Sequence, residues 1–110
     1  MKYKILVFII TYKASFRVLD VFKKIPFKYL KQHKYTIYAS DDESKDDTIF
    51  FLKKLKEKNK SKIIINENMK NLGYGGNIKK CIRYAYKNNF DYAVMVHGDN
   101  QYNPKYIEKM

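Results

Sequence analysis

The sequence predicts one α/β domain, residues 1–110, in which strands and helices alternate around a mostly parallel central sheet. The length of 110 residues is typical of a single domain, and a hydrophobic fraction of 45% can form a small core. Residues Ile5–Ile10 form a continuous apolar run rich in β-branched side chains, which is typical of a strand buried on both faces. Three further strand segments each follow a helical segment, and this alternation predicts right-handed crossovers and parallel pairing.

The first helix is predicted directly after this strand, with Ser15 as its N-cap. Its predicted apolar face consists of Phe16, Leu19, Val21 and Phe22. Pro26 is expected to end or kink the helix, because proline cannot continue the helical hydrogen bonds. Tyr35–Ala39 is the predicted second strand.

The second helix has a predicted apolar face of Ile49, Leu52 and Leu55. Ser44 and Asp47, three positions apart, resemble a capping box and predict where this helix begins. Ile63–Ile65 is predicted to be a short third strand, and the glycine-rich segment NLGYGGN, residues 71–77, a loop.

The third helix is predicted from an apolar stripe at positions i, i+3, i+4 and i+7, which are Ile78, Cys81, Ile82 and Ala85. A fourth buried strand is predicted at Tyr92–Val96, and a loop, HGDNQYNP, at residues 97–104. Pro104 suits the first position of a last helix. The complete order is β-α-β-α-β-α-β-α.

Ligands of such parallel sheets bind at the carboxyl ends of the strands, where the strand order reverses. Five of the 11 acidic residues lie at positions 41–47, directly after the second strand. Acidic side chains favour helix starts, which accounts for Asp46 and Asp47. Asp41 and Asp42 precede the predicted cap, so we expect this pair to have a binding function.

Two further segments have both a functional and a structural interpretation. The glycines of NLGYGGN can bring backbone N–H groups close to a phosphate, or form a plain turn. In HGDNQY, the oxygens of Asp99 and Gln101 and a nitrogen of His97 could bind Mg²⁺ or Mn²⁺ together with a diphosphate. The alternative is a polar turn, with His97 bonded to a backbone group.

The formal net charge of +12 makes a nucleic-acid partner one candidate. However, 21 of the 23 basic residues are lysines scattered over the whole chain, whereas nucleic-acid readers favour arginine. The pattern therefore favours a solvated lysine-rich surface without a nucleic-acid partner. Such a surface would still attract anionic lipid headgroups.

Cys81 is the single cysteine, which excludes a disulfide within the chain and fits a reducing compartment. The opening MKYKILVFII has an apolar run of only six residues and no small-residue cleavage site, so a buried strand is favoured over a secretory leader. No apolar run approaches the ~20 residues needed to span a bilayer.

Three motifs, taken together, resemble those of family 2 glycosyltransferases with the Rossmann-like GT-A fold. DDESKDDT (41–48) is similar to DDGSxDGT, and HGDNQYNP (97–104) is similar to DxDxQxxP. NLGYGGNIKKCIRYA (71–85) is similar to a segment that reads N-x-G-x-G-x-A/N and, further on, G-x-x-x-A. The similarity is greatest to dolichyl-phosphate mannosyltransferase-like and undecaprenyl-phosphate sugar transferase-like members. It extends from Lys4 to Ile107 and corresponds to the N-terminal, donor-binding half of the family's catalytic domain.

The resemblance implies binding of a UDP- or GDP-linked sugar. The residues implied to contact it are Thr11, Tyr12, Asp41, Asp42, Gly73, Tyr74, Gly75, Asn77 and Asp99. Within this set, Thr11 and Tyr12 are implied to line the base, and Asp41 or Asp42 to accept a hydrogen bond from it. The four residues between 73 and 77 are implied to lie along the diphosphate sugar.

The resemblance also implies a divalent metal, Mg²⁺ or Mn²⁺, bound by Asp99 with help from Gln101 and with His97 as a third candidate ligand. The metal would bridge the two phosphates and act as a Lewis acid. His97 stands where the family has the first acid of DxD, so it leaves the strength and identity of the metal open.

Other positions also depart from the family pattern. Ile10, Lys13 and Ala14 stand at the positions of a proline, an asparagine and a glutamate in the family's first loop. Glu43 replaces a glycine, so we expect backbone strain at this residue.

The implied reaction is a hexosyl transfer to an acceptor such as a polyprenyl phosphate or a glycan, as in cell-envelope glycan synthesis. The acceptor pocket and any catalytic base are expected outside these residues. The alternative is a truncated, non-catalytic module that binds a nucleotide or a partner, which the departures at Ala14 and His97 favour. We expect a cytoplasmic protein, or one peripheral to the inner face of an anionic membrane, with a second chain or a dimer covering the exposed sheet edge.

Overall fold

A computed structural model describes residues 2–59 and 63–98, and these form an α/β fold. The elements in chain order are β1 (Lys4–Thr11), α1 (Arg17–Lys23), α2 (Phe27–Leu30), β2 (Lys34–Asp41), α3 (Thr48–Lys58), β3 (Ile63–Glu67), α4 (Gly73–Lys87) and β4 (Tyr92–His97). The four strands form one parallel sheet in the order β3-β2-β1-β4. The predicted alternating architecture with a parallel sheet is confirmed.

Strand β1 lies inside the sheet and is apolar on both faces, as its sequence predicts. Val7 and Ile9 belong to a core cluster with side chains of α1 and α3, whereas Leu6 and Phe8 belong to a second cluster with Cys81 of α4. Successive side chains of a strand point to opposite faces, so the helices cover both sides of β1. The result is a three-layer arrangement with the sheet in the middle.

The chain runs from β1 outward to β2 and β3 and then crosses back to β4 on the other side of β1. Ile10 is in register with Ser40 of β2 and with His97 of β4, so three strands end close together. The carboxyl ends of β1 and β4 flank the point where the strand order reverses, which is the usual ligand position in open parallel sheets.

The start of α1 differs from the prediction. Phe16 is the N-cap and makes no side-chain cap bond, so the expected cap by Ser15 is wrong. The backbone of Ser15 has a φ of 54°, and its N–H donates to Thr48 Oγ1 at 2.9 Å, which ties this residue to α3. Phe16 is 65% exposed, and Val18 takes its predicted place in the core.

The predicted capping box of α3 is also wrong. The hydroxyl of Ser44 donates to Asp41 and accepts the N–H of Lys13, so it is not available to the helix. Asp47 is the N-cap without a side-chain cap bond, and the first N–H of the helix, that of Thr48, donates to Asp46 Oδ1 at 2.9 Å.

Helix α4 begins at Gly73, so the predicted glycine loop forms the first turn of the helix instead. The apolar stripe is confirmed at Cys81 and Ala85, which are buried, but Ile82 is 51% exposed. Apart from His97 and Gly98, the predicted loop 97–104 and the helix from Pro104 lie outside the described residues.

The core beneath α4 predicts a loss of stability in alkali. Burial raises the pKa of Tyr38 to about 12 and that of Cys81 to about 11. The unfolded chain releases both protons at lower pH than the folded chain does. The free energy of unfolding therefore has its full value below about pH 8, and it falls as the pH rises toward the pKa values of the folded chain. We expect the free energy of unfolding in urea to be lower by about 2 kcal/mol at pH 10.5 than at pH 8. The variant Tyr38→Phe should lose part of this pH dependence, and an equal dependence in both proteins would contradict the assignment to Tyr38.

Candidate functional site

A pocket of about 420 Å³ lies at the carboxyl edge of the sheet. It is lined by Ile10, Thr11, Tyr12, Asp42, Asn71, Gly73, Tyr74, Asn77 and His97. The lining thus brings together the ends of β1, β2 and β4 with the start of α4. Among the predicted sugar-nucleotide residues, Asp41 and Gly75 do not line the pocket, and Asp99 lies outside the described residues.

Asp41 is fully buried, and both of its carboxylate oxygens accept hydrogen bonds from other residues of the chain. Its Oδ1 accepts hydrogen bonds from Thr11 Oγ1 and from Ser44 Oγ, both at 2.6 Å, and its Oδ2 accepts the Ser44 N–H at 2.9 Å. These bonds join the end of β1 to the loop after β2. The carboxylate of Asp41 therefore holds two walls of the pocket together.

Asp42 is also buried, with 4% of its surface exposed, but it lines the pocket. Its Oδ1 accepts the Leu72 N–H at 2.7 Å and Asn68 Nδ2 at 3.1 Å. Its Oδ2 has no hydrogen bond from any of the residues that the structure describes. Asp42 therefore offers one carboxylate oxygen to a ligand, while the other is saturated.

Two residues of the loop after β1, Lys13 and Ser15, have left-handed φ values of 52° and 54°. Such conformations cost a side-chain-bearing residue roughly 1–2 kcal/mol. The loop is held by the hydrogen bond from Lys13 N–H to Ser44 Oγ at 2.7 Å, and by that of Ser15 to Thr48. This cross-linking fixes Tyr12, which is 51% exposed at the rim of the pocket.

Glu43 has a φ of 60°, which confirms the strain expected from a glutamate at the family's glycine position. Its carboxylate accepts the Asn71 N–H at 3.2 Å and lies 3.6 Å from the Lys45 ammonium. Asn71 in turn donates its Nδ2 to the carbonyl of Asp42 at 3.3 Å. Glu43 therefore connects the acidic loop to the segment before α4, which a glycine could not do.

The glycines at the start of α4 have different roles. Gly73 has a φ of 79°, a conformation that glycine adopts without strain, and its N–H donates to Asn71 Oδ1 at 2.8 Å. A Cβ at Gly76 would meet Leu72 Cβ at 3.0 Å. The helix start at the pocket also gives a partial positive charge there, which favours an anion.

The end of β4 approaches β1 very closely. A Cβ at Gly98 would lie 2.5 Å from Thr11 Cγ2 and 3.0 Å from the Ile10 carbonyl oxygen, so only glycine fits there. His97 stacks on Tyr74 with ring centroids 5.5 Å apart, and its Nε2 lies 3.2 Å from the Tyr74 hydroxyl. The imidazole thus has a side-chain partner across the pocket.

The described residues do not form a metal site by themselves. In residues 2–59 and 63–98, no group of three His, Cys, Asp or Glu side chains is placed to hold a metal ion. Asp99 and Gln101, the two predicted oxygen ligands, lie outside those ranges. The divalent metal therefore stays a prediction.

Asn68 is a site residue that the sequence reasoning missed. It is 3% exposed and bonds to both Asp42 and Asn77. The available signal was NENMKN, residues 66–71, which places three asparagines at or just after the carboxyl end of the third strand. Asn77 lines the pocket, but its Oδ1 and Nδ2 both bond to Ser40.

The strand order and the helices on both faces of the sheet define a Rossmann-like α/β fold of the GT-A type. The sequence profile described as Glycosyl transferase family 2 matches residues 6–110, so the chain belongs to this family. A comparison with curated proteins finds no match.

Solved structures of TarS from S. aureus share the fold. TarS 1–349 in complex with UDP aligns with a TM-score of 0.69 and 20% identity, over 99% of this chain and 30% of that one. The complex of TarS 1–349 with UDP-GlcNAc aligns with a TM-score of 0.63 and 20% identity, over 99% of this chain and 30% of that one. The structure of TarS itself aligns with a TM-score of 0.66 and 20% identity, over 99% of this chain and 18% of that one. The chain therefore spans less than a third of the solved relatives it matches.

None of the helices in the described part of the chain is both long and apolar enough to cross a bilayer.

Proposed function

We propose that this chain is the donor-binding part of a glycosyltransferase, and that its pocket binds a nucleoside diphosphate sugar. The observation that carries the proposal is Asp42, a buried carboxylate that presents one oxygen to a pocket at the reversal point of a parallel sheet. Membership of glycosyl transferase family 2 supports it, since the family motifs supply the residues around this pocket.

The geometry of Asp42 favours uracil over guanine. Uracil presents a single N–H at N3, which one free carboxylate oxygen can accept. Guanine presents N1–H and an amino group side by side, and both carboxylate oxygens are needed to accept them. Oδ1 is already occupied by Leu72 and Asn68, so we propose a UDP-linked donor. TarS structures in complex with UDP and UDP-GlcNAc share this fold.

In this proposal, other residues of the pocket lie beside the base and the diphosphate of the donor. Tyr12 and Thr11 flank the base, and the start of α4, with Gly73 and Tyr74, faces the diphosphate. We extend the proposal to a divalent metal, Mg²⁺ or Mn²⁺, held by Asp99 and Gln101 together with the diphosphate. When bound, the metal would neutralise the charge of the departing diphosphate.

The acceptor side belongs to the proposal as well. We propose a hexosyl transfer to a polyprenyl phosphate or a glycan at the cytoplasmic face of a membrane, with the acceptor site supplied by residues outside this chain. The +12 charge supports contact with anionic lipid.

A second candidate is a binding module without catalysis. The pairing of His97 with Tyr74 supports it, because that imidazole stands where the family has an acid.

Calorimetric titration of the 110-residue chain with UDP and GDP, each with and without Mn²⁺, tests the proposed donor. We expect saturable UDP binding that Mn²⁺ strengthens, with UDP favoured over GDP by about tenfold, or 1.4 kcal/mol. A folded chain that binds neither nucleotide would refute the donor site, and equal affinities would refute the choice of base.

A further inference from the structure

We propose that Asn68 is a positioning residue that orients the Asp42 carboxylate toward the base of the nucleotide. The inference rests on the proposed function, because it concerns the same pocket. It adds to the site a buried residue, in the segment between β3 and α4, that does not itself line the pocket.

Asn68 is fixed by its backbone and by both ends of its side chain. Its N–H donates to the Asp41 carbonyl at 2.8 Å. Its Nδ2 donates to Asp42 Oδ1 and to Asn77 Oδ1, both at 3.1 Å. With 3% of its surface exposed, this side chain exchanges little with water.

The orientation of the Asn68 amide is set from the other side. Its Oδ1 accepts hydrogen bonds from Asn66 Nδ2 and from the Lys80 ammonium, both at 2.8 Å. Because an ammonium group can only donate, it requires an acceptor, and the amide oxygen must face it. The NH₂ group must then face Asp42. Lys80 on α4 therefore determines that Asn68 acts as a donor toward the carboxylate.

This arrangement limits the rotation of the Asp42 carboxylate. Leu72 N–H and Asn68 Nδ2 together saturate Oδ1, and Oδ2 is left to face the pocket. Without Asn68, a lone pair of Oδ1 becomes available and the carboxylate can turn about its bond to Cβ. The loss should therefore appear in recognition of the base and not in binding of the diphosphate.

Comparison of UDP with CDP isolates the contact with the base, since cytosine has an acceptor at N3 where uracil has an N–H. We expect Asn68→Ala to lower the affinity for UDP about tenfold in calorimetric titration and to leave the affinity for CDP within about twofold. Met69→Ala is the matched control, because Met69 is next to Asn68 in the chain and its side chain is 96% exposed. It should leave the UDP-to-CDP ratio unchanged.

Asn68→Asp provides a second variant, because it keeps the shape and the acceptor oxygen for Lys80 and Asn66. It replaces the donor toward Asp42 by an oxygen. The ratio of the affinity for UDP to that for CDP should therefore fall at least as far as in Asn68→Ala. Equal losses for UDP and CDP in both variants, or an unchanged ratio, would overturn the role of Asn68 while the wild-type preference for UDP stands. A folded wild-type chain without that preference would refute the proposed base contact itself, and this inference with it.

Discussion

Asp42→Ala is expected to lower the affinity of the chain for UDP by about 100-fold or more. The substitution removes the proposed charge-assisted hydrogen bond to the base, worth roughly 1.5–3 kcal/mol. It also leaves the Leu72 N–H and one N–H of the Asn68 amide without an acceptor, so the wall of the pocket loosens. Calorimetric titration with UDP measures the loss, and circular dichroism establishes that the variant is folded.

The matched control for this prediction is Asp47→Ala. Asp47 belongs to the same acidic segment and is exposed, and it makes no side-chain bond at the start of α3. Its removal changes the net charge by the same amount as the removal of Asp42. We expect its affinity for UDP to stay within about twofold of wild type. Equal losses in the two variants would attribute the effect to long-range charge and contradict a direct contact.

The neighbouring substitution, Asp41→Ala, is expected to lower the free energy of unfolding by about 3 kcal/mol or more. It removes the acceptor for three hydrogen bonds from Thr11 and Ser44, in a place without access to water. A buried donor left without an acceptor costs about 1–3 kcal/mol. The strained loop that contains Lys13 would lose part of its support as well, because one of the two hydrogen bonds that hold it is to Ser44.

Urea unfolding at neutral pH measures this change, with Asp46→Ala as the comparison. Asp46 lies in the same loop and is exposed, and it accepts hydrogen bonds from the N–H and the hydroxyl of Thr48. Loss of such a bond at a helix start costs about 1 kcal/mol. If Asp41→Ala costs no more than Asp46→Ala, the buried carboxylate does not hold the loops together.

The sequence predicts the architecture well because apolar periodicity is visible among residues that are close together in the chain. The buried run of β1 and the stripe of α4 have periods that local sequence displays. The capping box at Ser44 fails for the opposite reason: its hydroxyl bonds to Asp41 and to the distant Lys13, which a pattern of local spacing does not contain.

The same limit explains the two adjacent aspartates. Sequence alone could not separate Asp41 from Asp42, since both follow the predicted second strand, Tyr35–Ala39, and both are acidic. Their side chains point to opposite faces of the strand end, and their partners lie up to 30 residues away. Asn68 was missed because its contacts to Asp42 and Asn77 join separate elements. The strain at Glu43 could be anticipated, since a glycine-specific turn constrains the residue within it.

The position of β1 in the sheet has a consequence for biosynthesis. One edge of β1 pairs with β2, beginning with Lys4 opposite Lys34, and the other pairs with β4, beginning with Ile5 opposite Tyr92. At ribosomal elongation rates of about 5–20 residues per second, β4 is made on the order of 3–10 s after β2. Throughout that interval the nascent chain has a strongly apolar strand with one unpaired edge, which can pair with other chains. The yield of folded protein in a cell should therefore depend on translation speed and on chaperones as well as on equilibrium stability.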